Sequence, residues 1–273
     1  MKPADRNFLQ RLALDCIRCI SLYCLLFFAC FTLNRVHAEA LQPTSPVIEI
    51  CTIDILPYGI KTKINTSSSE YLTSGIYFDI ANMLAEESGY LPHNEVYPYA
   101  RIMLELKSGQ TDMTIMFKYK ELEQYVTYIA PLPSLKNVVI GLKGTNFTSL
   151  ESLKGKKLAY LRGAKFSDDI DRDPDIIRFK TFDFVQAVKM LIVGHVDAVI
   201  GPMDPILSAA LQLNKDINLF GEPFIVSERT PWVQISNKSL GKVSVIKLKS
   251  QFEQIIAKGE LTKLRQKYLG KAR

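Results

Sequence analysis

The chain has 273 residues, 47% of them hydrophobic and 23% charged, with a formal net charge of +6. That composition is globular. It excludes a disordered polar chain, a collagen-like repeat and a disulfide-dense scaffold, and it leaves room for one large domain or two small ones.

The first 38 residues differ from the rest. Lys2, Arg6, Arg11 and Arg18 precede a nearly unbroken apolar run from Ile20 to Leu33, and Val36 and Ala38 are small residues at the positions a signal peptidase reads. Residues 1–38 therefore read as a secretory signal peptide, since about 14 apolar residues fall short of the ~20 that span a bilayer. Phe28-Ala29-Cys30 offers only a weak lipoprotein site, so a lipid anchor at Cys30 is the lesser alternative. Four of the five cysteines lie in this leader, and Cys51 alone, expected as a buried small hydrophobe, cannot form an internal disulfide. Beyond Ala38, 29 basic residues face 26 acidic ones, a net charge of +3 that does not suggest nucleic acid.

In the mature chain, Val47–Ile55 reads as a strand followed by the turn Leu56-Pro57-Tyr58-Gly59, and the polar stretch Lys61–Ser74 as a loop or short hairpin. Asp79 is expected to cap a helix with Ile80, Met83 and Leu84 on one face, ended by Gly89. A strand over Glu95–Tyr99, a helix over Arg101–Lys107 and a strand over Met113–Phe117 follow. From Asn137 the pattern restarts: a strand over Val138–Leu142, a short helix near Leu150–Gly155, and a strand over Leu158–Leu161. A turn at Arg162–Ala164 leads into an expected helix, then a strand over Ile176–Phe179. A further helix is capped by Thr181 or Asp183, with Phe184, Val188 and Leu191 on one face. Pro202–Leu213 reads as a helix, Ile217–Phe220 as a strand, Pro223–Trp232 as a crossing, and Ser244–Tyr268 as one long closing helix.

One phrase occurs twice. Leu104–Gly109-Gln-Thr-Asp112-Met-Thr-Ile-Met and Met190–Gly194-His-Val-Asp197-Ala-Val-Ile each read as a helix end, a glycine stop, a two-residue spacer, an aspartate and a buried strand. The repeat predicts two similar α/β lobes with a cleft between them, and Asp112 and Asp197 as structural residues that tie down the loop before a strand. His37, His93 and His195 are scattered, and no cysteine–histidine cluster, phosphate loop or nucleophile elbow is present.

The order of these motifs resembles the bacterial extracellular solute-binding proteins of family 3, the polar amino acid type. The matching stretches are Leu56-Pro57-Tyr58, Gly75-x-x-x-Asp79, Leu104-x-x-x-x-Gly109-x-x-Asp112, Leu153-Lys154-Gly155 through Gly163, Gly194-x-x-Asp197, and Phe252 through Tyr268. The resemblance implies the two-lobed type II periplasmic-binding-protein fold, in which each lobe is a mainly parallel sheet flanked by helices and two hinge strands join the lobes. It implies lobe 1 over 46–136 plus 226–273 and lobe 2 over 137–225. It further implies a periplasmic monomer that closes on a small polar metabolite, amino-acid-like or a small organic anion, and delivers it to an inner-membrane ABC permease without catalysis or cofactor.

By the same resemblance, Tyr58 is an aromatic platform for the ligand, and Arg101, after Tyr97-Pro98-Tyr99, faces the cleft. Phe117 and Tyr119, at the carboxyl end of the strand after Asp112, are expected to line the cleft; Gly163 and Ala164, before an expected helix, to offer backbone N–H groups to a carboxylate; and Asp204, two positions past the family's aspartate, to accept a ligand amine. The chain departs from the family at its anchors. No arginine lies between Met113 and Lys136, where the carboxylate-binding arginine is usual, and Gly201-Pro202-Met203 stands where an amine-binding aspartate is usual. Two alternatives remain open at this stage. One is a cyclohexadienyl-dehydratase-like enzyme recruiting Glu121, Glu123 or Asp204; the other is a ligand sensor that signals to a membrane receptor.

Overall fold

The computed structural model describes residues 45–65 and 69–270. The expected signal peptide and Cys30 lie outside the described residues.

In chain order the strands are β1 (Val47–Ile53), β2 (Ile60–Lys63), β3 (Tyr71–Ser74), β4 (Leu91–Tyr97), β5 (Met113–Phe117), β6 (Val126–Pro131), β7 (Leu135–Ile140), β8 (Lys157–Leu161), β9 (Ile177–Thr181), β10 (Ala198–Pro202), β11 (Phe224–Arg229) and β12 (Pro231–Ser236). The α-helices are α1 (Ile76–Glu87), α2 (Tyr99–Ser108), α3 (Asp168–Arg172), α4 (Phe184–Ile192), α5 (Met203–Gln212), α6 (Val245–Ala257) and α7 (Glu260–Leu269). They build two five-stranded sheets, ordered β4-β1-β5-β12-β6 and β9-β8-β10-β7-β11, and a small β2–β3 hairpin. The two orders correspond strand for strand. In each sheet three strands run parallel and the remaining two pairings are antiparallel.

Each sheet has its own apolar core. Ile48, Ile50, Met113 and Ile235 of the first pack under Ile80, Leu84 and Phe252, while Leu158, Val199 and Ile140 of the second pack under Val188, Leu191 and Ile206. The second face of the first sheet carries a smaller cluster around Ile102, Leu106 and Leu122. Cys51 belongs to it and is buried as expected, yet it is not merely apolar: its Sγ sits 3.1 Å from Glu105 Oε2 and 2.7 Å from Thr111 Oγ1. Burial, partly opposed by Thr111, pushes the thiol up to about 12.

The repeated phrase has a single structural meaning in both sheets. Gly109 and Gly194 end α2 and α4 at positive φ, 79° and 74°. Three residues later Asp112 N–H donates to Glu49 O at 2.8 Å while its carboxylate accepts from Glu49 N–H at 2.8 Å. Asp197 does the same to Lys157, with N–H to carbonyl at 2.8 Å and carboxylate from N–H at 2.7 Å. Each aspartate thus clasps the start of the neighbouring parallel strand, β1 or β8, at the moment its own strand enters the sheet centre.

Several local expectations shift, each for a visible reason. Helix α1 begins at Ile76, before Asp79, because the carbonyls of Pro57 and Tyr58 accept from Ile76, Tyr77 and Phe78 N–H and so satisfy the first turn without a side-chain cap. Asp79 instead accepts from Lys267 Nζ and Tyr268 Oη, both at 2.9 Å, and ties α7 to α1. Gly75 must be glycine: its φ is 131°, and a Cβ there would lie 2.4 Å from Tyr58 O. The expected strand at Ile217–Phe220 is a 3-10 turn over Ile217–Leu219, and the long closing helix is two, broken at Gly259 with φ 75°. Strands β6 and β12 are not apparent as strands in the sequence pattern.

The chain passes between the sheets twice, through Leu132–Ser134 and through Thr230 alone. Leu135, Lys136 and Val226–Arg229 fall within second-sheet strands. Ser134 Oγ and Thr230 Oγ1 hydrogen-bond at 2.7 Å, joining the two crossings directly.

Removing the buried clasp should cost more than removing the exposed one. Asp112 is 3% exposed and also holds Lys242 Nζ at 2.5 Å, whereas Asp197 is exposed. Asp112→Ala should lower unfolding stability by about 1–3 kcal/mol by stranding buried polar groups, and Asp197→Ala by less than about 1 kcal/mol. Urea denaturation midpoints of the two variants measure this; equal losses would count against the clasp.

Candidate functional site

The carboxyl ends of β1, β5, β8, β10 and β11 and the starts of β7 and β12 converge on a cavity between the sheets, of about 650 Å³ including its open mouth. Ligands of open α/β sheets sit beyond strand carboxyl ends, and a concave, mostly apolar cleft there is the default site. Of its 18 lining residues only Lys165 and Arg229 carry a full charge, and none is Asp, Glu, His or Cys.

Tyr58 is held by the turn after β1. Its carbonyl caps α1, which fixes its backbone, and its ring stacks on Tyr77 with centroids 4.3 Å apart and planes 13° from parallel. Both rings are buried and both line the cavity. Burial, chiefly, with Tyr77 and Asp204 nearby, holds the Tyr58 phenol well above its ordinary range, so it stays a neutral hydroxyl. Among the described residues its Oη has no hydrogen-bond partner of good geometry.

Arg229 ends β11, one residue before the return crossing. Its guanidinium donates to Lys118 O at 3.2 Å and Lys165 O at 3.3 Å, reaching one carbonyl on each side of the cleft. It also lies over the rings of Phe117 and Tyr119, 4.3 and 5.1 Å from their centroids. No carboxylate among the described residues pairs with it.

Asn137 on β7 is 0% exposed and lines the same cavity. Ser227 Oγ donates its only proton to Phe166 O, so it must accept from Asn137, and this fixes Nδ2 toward Ser227 at 2.9 Å. The amide is thereby oriented with Oδ1 left over, and among the described residues that oxygen has no donor.

Of the residues expected from sequence, Tyr58, Phe117, Tyr119 and Ala164 are in the lining. Gly163 and Arg101 are not. Arg101 is on the outer helix α2, bonded to Glu105 at 2.8 Å and stacked 3.6 Å over Tyr97. The helix expected after Ala164 starts only at Asp168 and is five residues long; Ala164 N–H is already spent on Leu161 O at 3.1 Å. Asp204 opens α5 of the second sheet and reaches Arg265 of α7 at 2.7 Å, lining a smaller pocket behind Tyr58 and Tyr77. Arg229, Asn137, Lys165, Phe166 and Phe184 were missed in the sequence. The available signal for Arg229 was its place within the expected crossing Pro223–Trp232, since residues at a crossing border the cleft.

A model of the bacterial extracellular solute-binding proteins, family 3, matches residues 62–271. The chain belongs to that family. No curated protein matches it in sequence. Solved structures share the fold at low identity. An ancestral arginine-binding protein bound to arginine is 21% identical with a TM-score of 0.64, covering 83% of this chain and 99% of its own. An amino acid ABC transporter substrate-binding protein from Streptococcus pneumoniae bound to L-arginine is 17% identical at 0.64, covering 85% and 97%. The glutamate-bound ligand-binding core of GluR0 from Nostoc punctiforme is 18% identical at 0.64, covering 82% and 99%. The two sheets and their paired crossings are thus the type II periplasmic-binding-protein fold.

In this family member the Asp204–Arg265 pair joins elements of the two lobes, because α7 packs on α1 over the first sheet. Burial raises the Asp204 carboxyl above its ordinary range and Arg265 opposes the shift. A carboxyl raised in the folded state binds more protons there than when unfolded, so it lowers stability as pH rises above about 4. Arg265→Ala should raise it further. The variant should lose about 1–3 kcal/mol at pH 7–8, less than a fully buried pair would, and the loss should shrink toward pH 4. Denaturation midpoints across that range check it; a pH-independent loss would mean packing alone.

Proposed function

We propose that this solute-binding protein works in the periplasm, after removal of residues 1–38, as a monomer that captures a small polar metabolite and presents it to an inner-membrane ABC permease. The reading rests on a cavity built from the strand ends of both lobes, with unpaired polar groups inside it. Among the described residues, lobe 1 is 46–131 plus 231–270 and lobe 2 is 135–229, hinged at 132–134 and 230. A ligand bridging Tyr58 and Phe117 of one lobe to Ala164 and Phe166 of the other favours the closed state in proportion to the contacts it makes only there. The amino acid transporter proteins of the same fold are the ground for the importer as partner.

Two measurements test this. The mature protein is equilibrated with a cell extract, freed of unbound solute and denatured, and the released small molecules are identified by mass spectrometry. Small-angle scattering before and after loading should show a smaller radius of gyration. A protein that releases nothing and keeps its radius is not a clamshell receptor.

Trp232, the only tryptophan, lies two residues beyond the Thr230 crossing, with Lys118 Nζ 3.7 Å from its ring centroid. Closure should change its emission in a saturable way when the extract-derived ligand is titrated. A flat response alongside a change in radius would place the moving segment away from this crossing.

A further inference from the structure

We infer that the solute is a small carboxylate with an apolar, aromatic-sized body and one neutral hydrogen-bond donor beside the carboxylate, a 2-hydroxy acid rather than a basic or zwitterionic amino acid. The inference rests on the solute-binding reading above and assigns its ligand class.

Three features carry it. Charge comes first. The lining holds two cations, Lys165 and Arg229, and no carboxylate. A ligand ammonium or guanidinium placed there would lose water without gaining a counter-charge, and would face two like charges. A ligand carboxylate meets the opposite situation. Arg229 has five N–H donors, two of them engaged by backbone carbonyls at 3.2 and 3.3 Å, and its planar fork suits a carboxylate. It therefore stands in for the arginine absent between Met113 and Lys136.

The second feature is shape and polarity. Apolar and aromatic side chains, among them Tyr58, Phe117, Phe166, Phe184, Leu161 and Ile55, make the greater part of the wall, so most of the ligand's surface must be apolar. The third is Asn137. Its side chain is fully buried, its amide is oriented by Ser227, and its Oδ1 has no donor among the described residues. Such an acceptor is costly to leave unmet, so it selects for a ligand that brings a donor. A hydroxyl supplies one without a charge.

Isothermal titration of the mature protein with L-3-phenyllactate, 3-phenylpropionate, L-phenylalanine and L-arginine tests the class. Phenyllactate should bind about tenfold or more tighter than phenylpropionate, which lacks the donor, and tighter than either amino acid. Arg229→Gln should weaken phenyllactate at least about tenfold and Arg229→Lys by an intermediate factor. Asn137→Leu should erase the preference for phenyllactate over phenylpropionate, with thermal melting confirming that each variant is folded. Tighter binding of L-arginine or L-phenylalanine, indifference to Arg229→Gln, or no binding by either organic acid overturns the ligand class. In those cases the solute-binding reading still stands if the extract experiment releases a small molecule. If that experiment also yields nothing, both fall.

Discussion

Both lobes depend on one hydrogen-bonded arrangement: an aspartate that uses its backbone N–H and its carboxylate together on one residue of the adjacent strand. Asp112 holds Glu49 and Asp197 holds Lys157 in this way. The preceding glycine turns the chain out of a helix, and the clasp sets the register in which the next strand enters the sheet. That strand, β5 or β10, is the central one in its sheet. Because β1, β5, β8 and β10 start from clasped ends, their carboxyl ends finish together, and the cavity forms where they finish.

The crossings complete the site. Each runs from the edge strand of one sheet to the second strand of the other, β6 to β7 and β11 to β12, so each central strand has a parallel neighbour on one side and an antiparallel one on the other. The exchange places crossing residues at the cleft floor. Asn137 and Arg229 are both there for this reason, at the start of β7 and the end of β11, with Ser134 and Thr230 bonded between the crossings. Two cations and an unmet acceptor in a mostly apolar wall would discriminate strongly between ligands, because low polarity around them magnifies each mismatch. Asp204, by contrast, is engaged by Arg265 behind the site, which joins the lobes through their helices.

Much of the fold was legible. Strand β5 falls where the pattern put it, Asp183 caps α4 by accepting from Gln186 N–H at 2.7 Å, and both glycine–aspartate units have the structural role expected of them. The misses have physical causes. Strands β6 and β12 mix aromatic, proline and polar residues, because each serves a sheet and a crossing at once, and the period-2 signal is lost. The Ser244–Tyr268 helix reads as continuous because apolar spacing persists across Gly259, while the positive φ there breaks it.

The sequence by itself determined the family, the two-lobed α/β plan and the tethering role of Asp112 and Asp197, since these follow from local spacing and from motifs short enough to read along the chain. It also put Tyr58 in the turn after β1 and Phe117 at the end of β5, where the structure has them. Only the tertiary structure decided which polar groups share the cavity. Arg229, Asn137 and Tyr58 are far apart in the chain and meet because two strand crossings bring them together. Arg101 and Asp204 are equally plausible ionisable residues from sequence, but Glu105 and Arg265 already engage them. A side chain's availability depends on its partners, and partners across sheets are not written in local sequence.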